Sequence, residues 1–372
     1  MSINLIFLCG ARDFHAMDWY RSAQEVIPSN KLSILTDLIE GEGHKKIVNQ
    51  NDRVDRMLII DRLLFKKQSS LADIWRNVIK FILLPVQVFF LKLHNLKNPN
   101  AIYYAHGMYY IWLGYFANVN FIGTPQGSEI LIRPFKSKLY KFLAKKSMQA
   151  ATFITVDSEK MKSTCEKISS VTPFIIQNGI DLSLILGQNK ETAKPLNRTK
   201  VLSIRGFTKL YRIKEIIVAR EKLHPITFIY PFYDDLYKDE IVSFMRNFDE
   251  NIGRVDRVLM YELLRKSIMV VSIPSSDSSP RSVYEAIFCG SVVCITYHPY
   301  YDILPQCMKD RIVLVDINDK SWFANAFVKA KKISKKEFFP DKESLDLFDQ
   351  RKSFKRILNL LNHYDKRLSN LH

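Results

Sequence analysis

The chain has 372 residues, 47% of them hydrophobic and 25% charged, which is enough for two α/β domains and too rich in core-forming residues for disorder. Lys and Arg number 55 against 38 Asp and Glu, a formal net charge of +17, so an anionic partner such as phosphate, nucleic acid or acidic lipid is favoured. The five cysteines form no C-x-x-C pair and no zinc-spaced Cys/His cluster, which argues against a structural metal.

The first ten residues carry an apolar run with no basic region before it and no cleavage pattern after it, so they read as a strand, and the expected location is cytoplasmic. Strands are predicted at 4–8, 32–35, 57–60, 101–104, 120–123, 153–156 and 172–177, each followed by polar or Gly/Pro punctuation and a helical-period segment. The second half repeats this grammar at 201–204, 226–230, 269–273, 292–296 and 312–315. Such alternation is the pattern of βαβ units and parallel sheets. The polar stretch 188–200 reads as a linker. The predicted division is a first domain over 1–190, a second domain over 198–350, and an amphipathic helix over 351–372 whose apolar face is Phe354, Ile357, Leu358 and Leu361.

After the first strand, Gly10 stands alone, so the glycine fingerprint of a dinucleotide site is absent. Arg12, His15, Asp18 and Trp19 lie at the crevice edge and are candidate ligand-binding residues, since polar groups and an aromatic face suit a sugar ring; Trp19 reads equally well as a core residue. The apolar run 79–93 holds Lys80, Pro85 and Lys92 and falls short of the roughly 20 residues a spanning helix needs. Residues 61–100 carry seven Lys or Arg against two Asp, and 132–147 carry six with no acid. These clusters are either solvated helix faces or interfacial helices on anionic lipid.

The most informative segment is MVVSIPSSDSSPRSVYEAIFCGSVVCITYH, from Met269 to His298. A buried strand ends in a Pro/Ser loop, a helix begins near Arg281, Gly290 closes it, and a second buried strand follows. Open α/β sheets bind ligands at such strand-loop-helix junctions, where the N–H groups of Ser278, Ser279, Arg281 and Ser282 around Pro280 would face a phosphate. Asp277 and Glu285 can reach one crevice at different depths, Glu285 for ribose hydroxyls and Asp277 for hydroxyls of the donated sugar. The competing reading is plain capping, with Ser279 or Ser282 as N-cap and Glu285 in the first turn.

Asp277-x7-Glu285 followed by Ala286 and Gly290 resembles the carboxylate-x7-Glu signature of family-four retaining glycosyltransferases, in the variant of cell-surface polysaccharide enzymes. Phe121-Ile-Gly-Thr-Pro-Gln-Gly-Ser-Glu-Ile is similar to that family's first-domain turn, and Asn178-Gly179-Ile180-Asp181 to its "NG.D" landmark, read here as a tight turn on Gly179. The resemblance implies a GT-B architecture, two Rossmann-like parallel-sheet domains facing each other across a cleft. It implies that Arg205 and Lys209, with Arg212 as rival to Lys209, neutralise a donor diphosphate without a metal or any other cofactor. Gln126 stands where many relatives carry a His; it cannot titrate but can bond a hydroxyl, and His106 is a candidate substitute.

The implied reaction is transfer of a sugar, with retention, from a nucleotide-sugar to a lipid-linked or surface (lipopolysaccharide- or capsule-type) glycan, at the inner membrane face. The alternatives are a GT-B nucleotide-sugar epimerase and a non-catalytic nucleotide-sugar-binding relative. A nucleic-acid binder is disfavoured, since no recognition motif accompanies the charge.

Overall fold

The computed structural model describes residues 4–10, 13–36, 52–57, 78–187, 197–220 and 224–369. The chain divides into two compact units, 1–177 with 353–372, and 178–352.

The first unit is built on five parallel strands, β1 (Asn4–Leu8), β2 (Leu32–Thr36), β3 (Val54–Arg56), β4 (Ala101–His106) and β5 (Phe121–Thr124), in the order β3-β2-β1-β4-β5. A short parallel pair, β6 (Thr155–Val156) and β7 (Phe174–Ile175), continues from β5 through a bridge between Gly123 and Ile154. Strand alternation sends Leu5 and Phe7 to one face and Ile6 and Leu8 to the other, and all four are buried. Both faces are therefore covered, as a parallel sheet requires. The helices α1 (Phe14–Gln24), α2 (Leu84–Lys97), α3 (Met108–Ala117), α4 (Gly127–Leu131) and α5 (Lys138–Ala150) supply the covering. α2, α3 and α5 share one core with Ile6 and Leu8, through Leu91, Ile111 and Met148. α1 packs on the opposite face.

The second unit repeats the design with six parallel strands, β8 (Lys200–Ser203), β9 (Ile226–Ile229), β10 (Glu250–Gly253), β11 (Ser267–Ser272), β12 (Val292–Ile295) and β13 (Ile312–Leu314), in the order β10-β9-β8-β11-β12-β13. Its relevant helices are α6 (Leu182–Gly187), α7 (Arg257–Arg265) and α8 (Arg281–Phe288). The chain ends in α9 (Gln350–Ser369). In both sheets the winding direction reverses at the centre, between β1 and β4 and between β8 and β11. Ligands of doubly wound sheets bind outside the carboxyl ends of those central strands.

Several expectations are corrected. Val54–Arg56 forms a strand that the sequence pattern did not indicate and Met57 lies in a bend, while 58–60 of the strand expected at 57–60 lie outside the described residues. β10 carries no strand signal in the sequence, because an edge strand pairs on one side only and its four residues, Glu-Asn-Ile-Gly, show no buried apolar run. The compact units part at 177/178 rather than within 188–200, of which 188–196 lie outside the described residues. From Ser353 onward α9 belongs to the first unit, since Phe354 is fully buried there and stacks on Phe7 at 6.0 Å between ring centroids.

Gly179 is required for a reason other than turn geometry. Ile180 donates its N–H to Phe348 (2.8 Å) and accepts from Gln350 (3.2 Å), which draws the two backbones together. A Cβ on Gly179 would collide with the Gln350 backbone nitrogen and Cα. Asp181 then starts α6, its Oδ1 accepting from Ser183 Oγ (2.6 Å) and from Leu184 N–H (3.1 Å).

Candidate functional site

β8 and β11 are neighbours, and the residues just past their carboxyl ends meet. Arg205, two residues beyond β8, donates through one guanidinium nitrogen to Asp277 Oδ2 at 2.5 Å and through another to Ser282 Oγ at 2.8 Å. Both members of the ion pair are largely withdrawn from solvent, with side-chain exposures of 10% and 13%. The Tyr211 ring lies 4.5 Å from the guanidinium carbon and covers its face. Asp277 is held from the other side as well, its Oδ1 accepting from the Ser278 N–H at 3.0 Å. Asp277, expected to face sugar hydroxyls, is thus first of all the partner of Arg205.

The loop between β11 and α8 is pinned from two directions. Ser275 donates its N–H to the Leu210 carbonyl (2.8 Å), which fixes the 3-10 turn Lys209–Tyr211 against it. His298 Nε2 lies 3.0 Å from the Pro274 carbonyl, and Thr296 Oγ1 donates to the same oxygen at 3.3 Å. Lys209 is exposed on its turn, while Arg212 is half-buried in a left-handed conformation.

α8 begins at Arg281 as expected, but Pro280 occupies its N-cap position and no side chain caps it. The capping reading of Ser279 and Ser282 therefore fails: Ser282 spends its hydroxyl on Arg205. The other end of α8 is closed by a Schellman motif in which Gly290, at φ 79°, donates to Ile287 (2.7 Å) and Ser291 to Ala286 (2.9 Å). Glu285 lies beyond the first turn, buried, and accepts from the Tyr261 hydroxyl of α7 at 3.0 Å. Burial, and then the Glu285 charge, push the Tyr261 phenol far above its usual range, so it stays a donor.

Three tyrosines of this site escaped the sequence reading: Tyr211, Tyr261 and Tyr300. Tyr300 is buried, its hydroxyl has no hydrogen-bond partner among the described residues, and burial followed by the nearby Asp277 charge raises its pKa. The run Tyr-His-Pro-Tyr-Tyr after β12 was the available signal. Tyr211 and Tyr261 had none: Tyr211 reaches Arg205 only through the folding of the short segment between them, and Tyr261 acts on Glu285, 24 residues away.

In the first unit the central strand ends gather a second polar set. Gln126 Nε2 donates to Asp13 Oδ2 at 2.7 Å, across 113 residues, and Asp13 Oδ1 caps α1 through the His15 N–H at 3.0 Å. Asp13 had not been singled out. Glu129 is buried and takes the N–H groups of Met108 (2.7 Å) and Gln126 (2.9 Å), so one carboxylate serves the starts of α3 and α4. Burial raises the Glu129 pKa against those two bonds. His106 closes β4; burial pulls its pKa down to about 4, opposed by the charge of Asp13, and its Nδ1 has no partner among the described residues.

The remaining first-unit candidates divide. His15 is exposed, and Asp18 is buried. Trp19 is a core residue, its ring 6.1 Å from Phe354, so it offers no face to a sugar. Arg12 lies outside the described residues. Among the described residues no group of three or more His, Cys, Asp or Glu side chains could hold a metal ion. No described helix is long and apolar enough to cross a membrane.

No family model matches the chain, and no curated protein does. Solved structures do. Anabaena HepE, in complex with UDP and glucose, superposes with a TM-score of 0.71 at 13% identity, over 97% of this chain and 100% of that one. Sucrose-phosphate synthase from Thermosynechococcus elongatus gives 0.69 at 13% identity, over 98% and 99%. The UDP-forming α,α-trehalose-phosphate synthase of Burkholderia vietnamiensis gives 0.67 at 10% identity, over 100% and 99%. The fold is GT-B. Within a GT-B chain the two sheets with reversed winding are its two Rossmann-like domains, and the Arg205–Asp277 pair stands at the switch point of the second.

Proposed function

We propose that this GT-B chain is a retaining hexosyltransferase that moves a sugar from a nucleotide-sugar to a hydroxyl of a lipid-linked or surface glycan, of lipopolysaccharide or capsule type. The reading places it with the family-four enzymes, on the cytoplasmic face of the cell membrane. Its main support is the Arg205–Asp277–Ser282 constellation beside the side-chain-free start of α8. Arg205, the exposed Lys209 and the α8 N-terminus would meet the donor diphosphate and stabilise the charge that grows on it as the glycosidic bond breaks. On this reading the scheme would need no divalent cation.

Glu285, oriented by Tyr261, would accept from the ribose hydroxyls. Asp277 would orient Arg205 and accept from a hydroxyl of the donated sugar with its remaining lone pairs. The departing phosphate would take the acceptor's proton on the face it leaves, so the scheme needs no enzymic base. That agrees with Gln126, which is bonded to Asp13 and cannot titrate.

The test is a thermal-shift screen of nucleotide-sugars, UDP-glucose first, with EDTA present, repeated on Glu285→Ala. A donor that stabilises the parent and not the variant supports the assignment. Equal shifts in both, or epimerisation of the donor without acceptor, would overturn it.

A further inference from the structure

From residue 74 to 156 the chain carries ten Lys or Arg and a single acid, Glu129, which is buried. This span includes α2, α3 and α5, the layer that covers one face of the first sheet. A solvated cationic layer would bury its large apolar side chains and expose its lysines. Here both are exposed.

α2 buries only Gln87 and Leu91. Along its outer side Val86, Phe89, Leu93 and Leu96 recur at spacings of three and four residues, one stripe of a helix, and Leu96 is 75% exposed. On the other flank of α3, Phe135 (63%), Leu139 (69%) and Phe142 (56%) stand among Lys136, Lys138, Lys141 and Lys145. Exposed apolar patches of this size mark an interaction surface.

We infer that the outer side of the α2–α3–α5 layer docks on an anionic lipid surface, with the α2 stripe and the Phe135–Leu139–Phe142 cluster inserted among the headgroups and the surrounding lysines paired with lipid phosphates. Charge selects the occupant. A second copy pressing the same layer against itself would bring two acid-free cationic surfaces together, whereas an anionic bilayer supplies both the counter-charge and an apolar sink. The inference deepens the proposed function, because it supplies the surface from which a lipid-linked acceptor would be reached.

The experiment is sedimentation of the full chain with phosphatidylglycerol/phosphatidylcholine vesicles and with phosphatidylcholine alone, at low and high salt. The comparison variants are Phe89→Glu/Leu96→Glu and Lys141→Glu/Lys145→Glu, all at exposed positions. The parent is expected to bind the mixed vesicles at least tenfold more tightly than the neutral ones and to keep part of that binding at high salt, since salt screens charge and not insertion. The apolar variant should lose at least tenfold at both salt levels, and the lysine variant mainly at low salt. Parent chain left in the supernatant, parent-like binding by the apolar variant, or a parent dimer that this variant converts to monomer would each overturn the inference. Nucleotide-sugar thermal shifts on the same variants separate the two proposals: vesicle binding without any donor shift sinks the catalytic reading and leaves the surface standing.

Discussion

Arg205 and Asp277 are 72 residues apart in sequence and 2.5 Å apart in space, joined across the two strands where the second sheet reverses direction. The pair has no net charge, so a diphosphate arriving beside it meets a guanidinium already matched by a carboxylate. Asp277 therefore opposes anion binding while it orients Arg205. Replacing it by Asn should keep the geometry and remove the opposition. UDP should then bind Asp277→Asn at least roughly tenfold more tightly, since even at about 12 Å one unit charge contributes about 1.4 kcal/mol at an effective dielectric of about 20, while sugar transfer falls roughly 100-fold. Calorimetry with UDP checks the first part, and weaker UDP binding would refute it.

Arg205→Ala should be costly to stability as well as to transfer. It strands Asp277 largely out of solvent, at about 3 kcal/mol. Adding Asp277→Ala should restore most of that loss without restoring activity, which a urea-unfolding double-mutant cycle can measure.

Tyr261 does not need to touch a ligand to matter. Its hydroxyl holds the Glu285 carboxylate, and a hydrogen bond to a charged group contributes roughly 1.5–3 kcal/mol. Tyr261→Phe should raise the donor Kd about tenfold and leave kcat within about twofold, because ribose contacts bind ground and transition states alike. A loss of thermal stability with unchanged donor affinity would make Glu285 a structural acid.

His106 makes the first unit acid-sensitive. Its pKa falls from 6.5 to about 4 on folding, so between those values the unfolded chain holds a proton that the folded chain rejects. Stability from this group is complete above pH 6.5 and is lost as pH falls toward 4, a total of about 3 kcal/mol. Urea unfolding from pH 7 to 4 should show the parent losing that much more than His106→Gln. Parallel curves would rule out a buried neutral imidazole.

Gly179→Ala should destabilise the second unit by about 2 kcal/mol, because the added methyl meets the Gln350 backbone rather than a side chain that could swing aside. Differential scanning calorimetry would show a lowered Tm; an unchanged Tm would mean the two segments separate easily.

The sequence alone carried much of what depends on neighbours along the chain. Buried runs such as Leu5–Leu8 of β1 and Ile268–Val271 of β11 contain no polar residue, so they read as strands, and their alternation with helical segments required parallel sheets in two halves. Gly290 could be recognised as a helix stop, because a left-handed residue there is a local requirement. The Asp277-to-Glu285 segment could be placed at a strand-loop-helix junction for the same reason. Tertiary structure decided who meets whom. Strand order puts β11 beside β8, and this joins Arg205 to Asp277 and takes Ser282 away from capping. It also sent Trp19 inward against Phe354, carried α9 back to the first unit, and set Gln126 on Asp13. Polar side chains accept many partners of similar energy, so their choice follows from which backbones the sheets bring together, and local pattern holds no record of that.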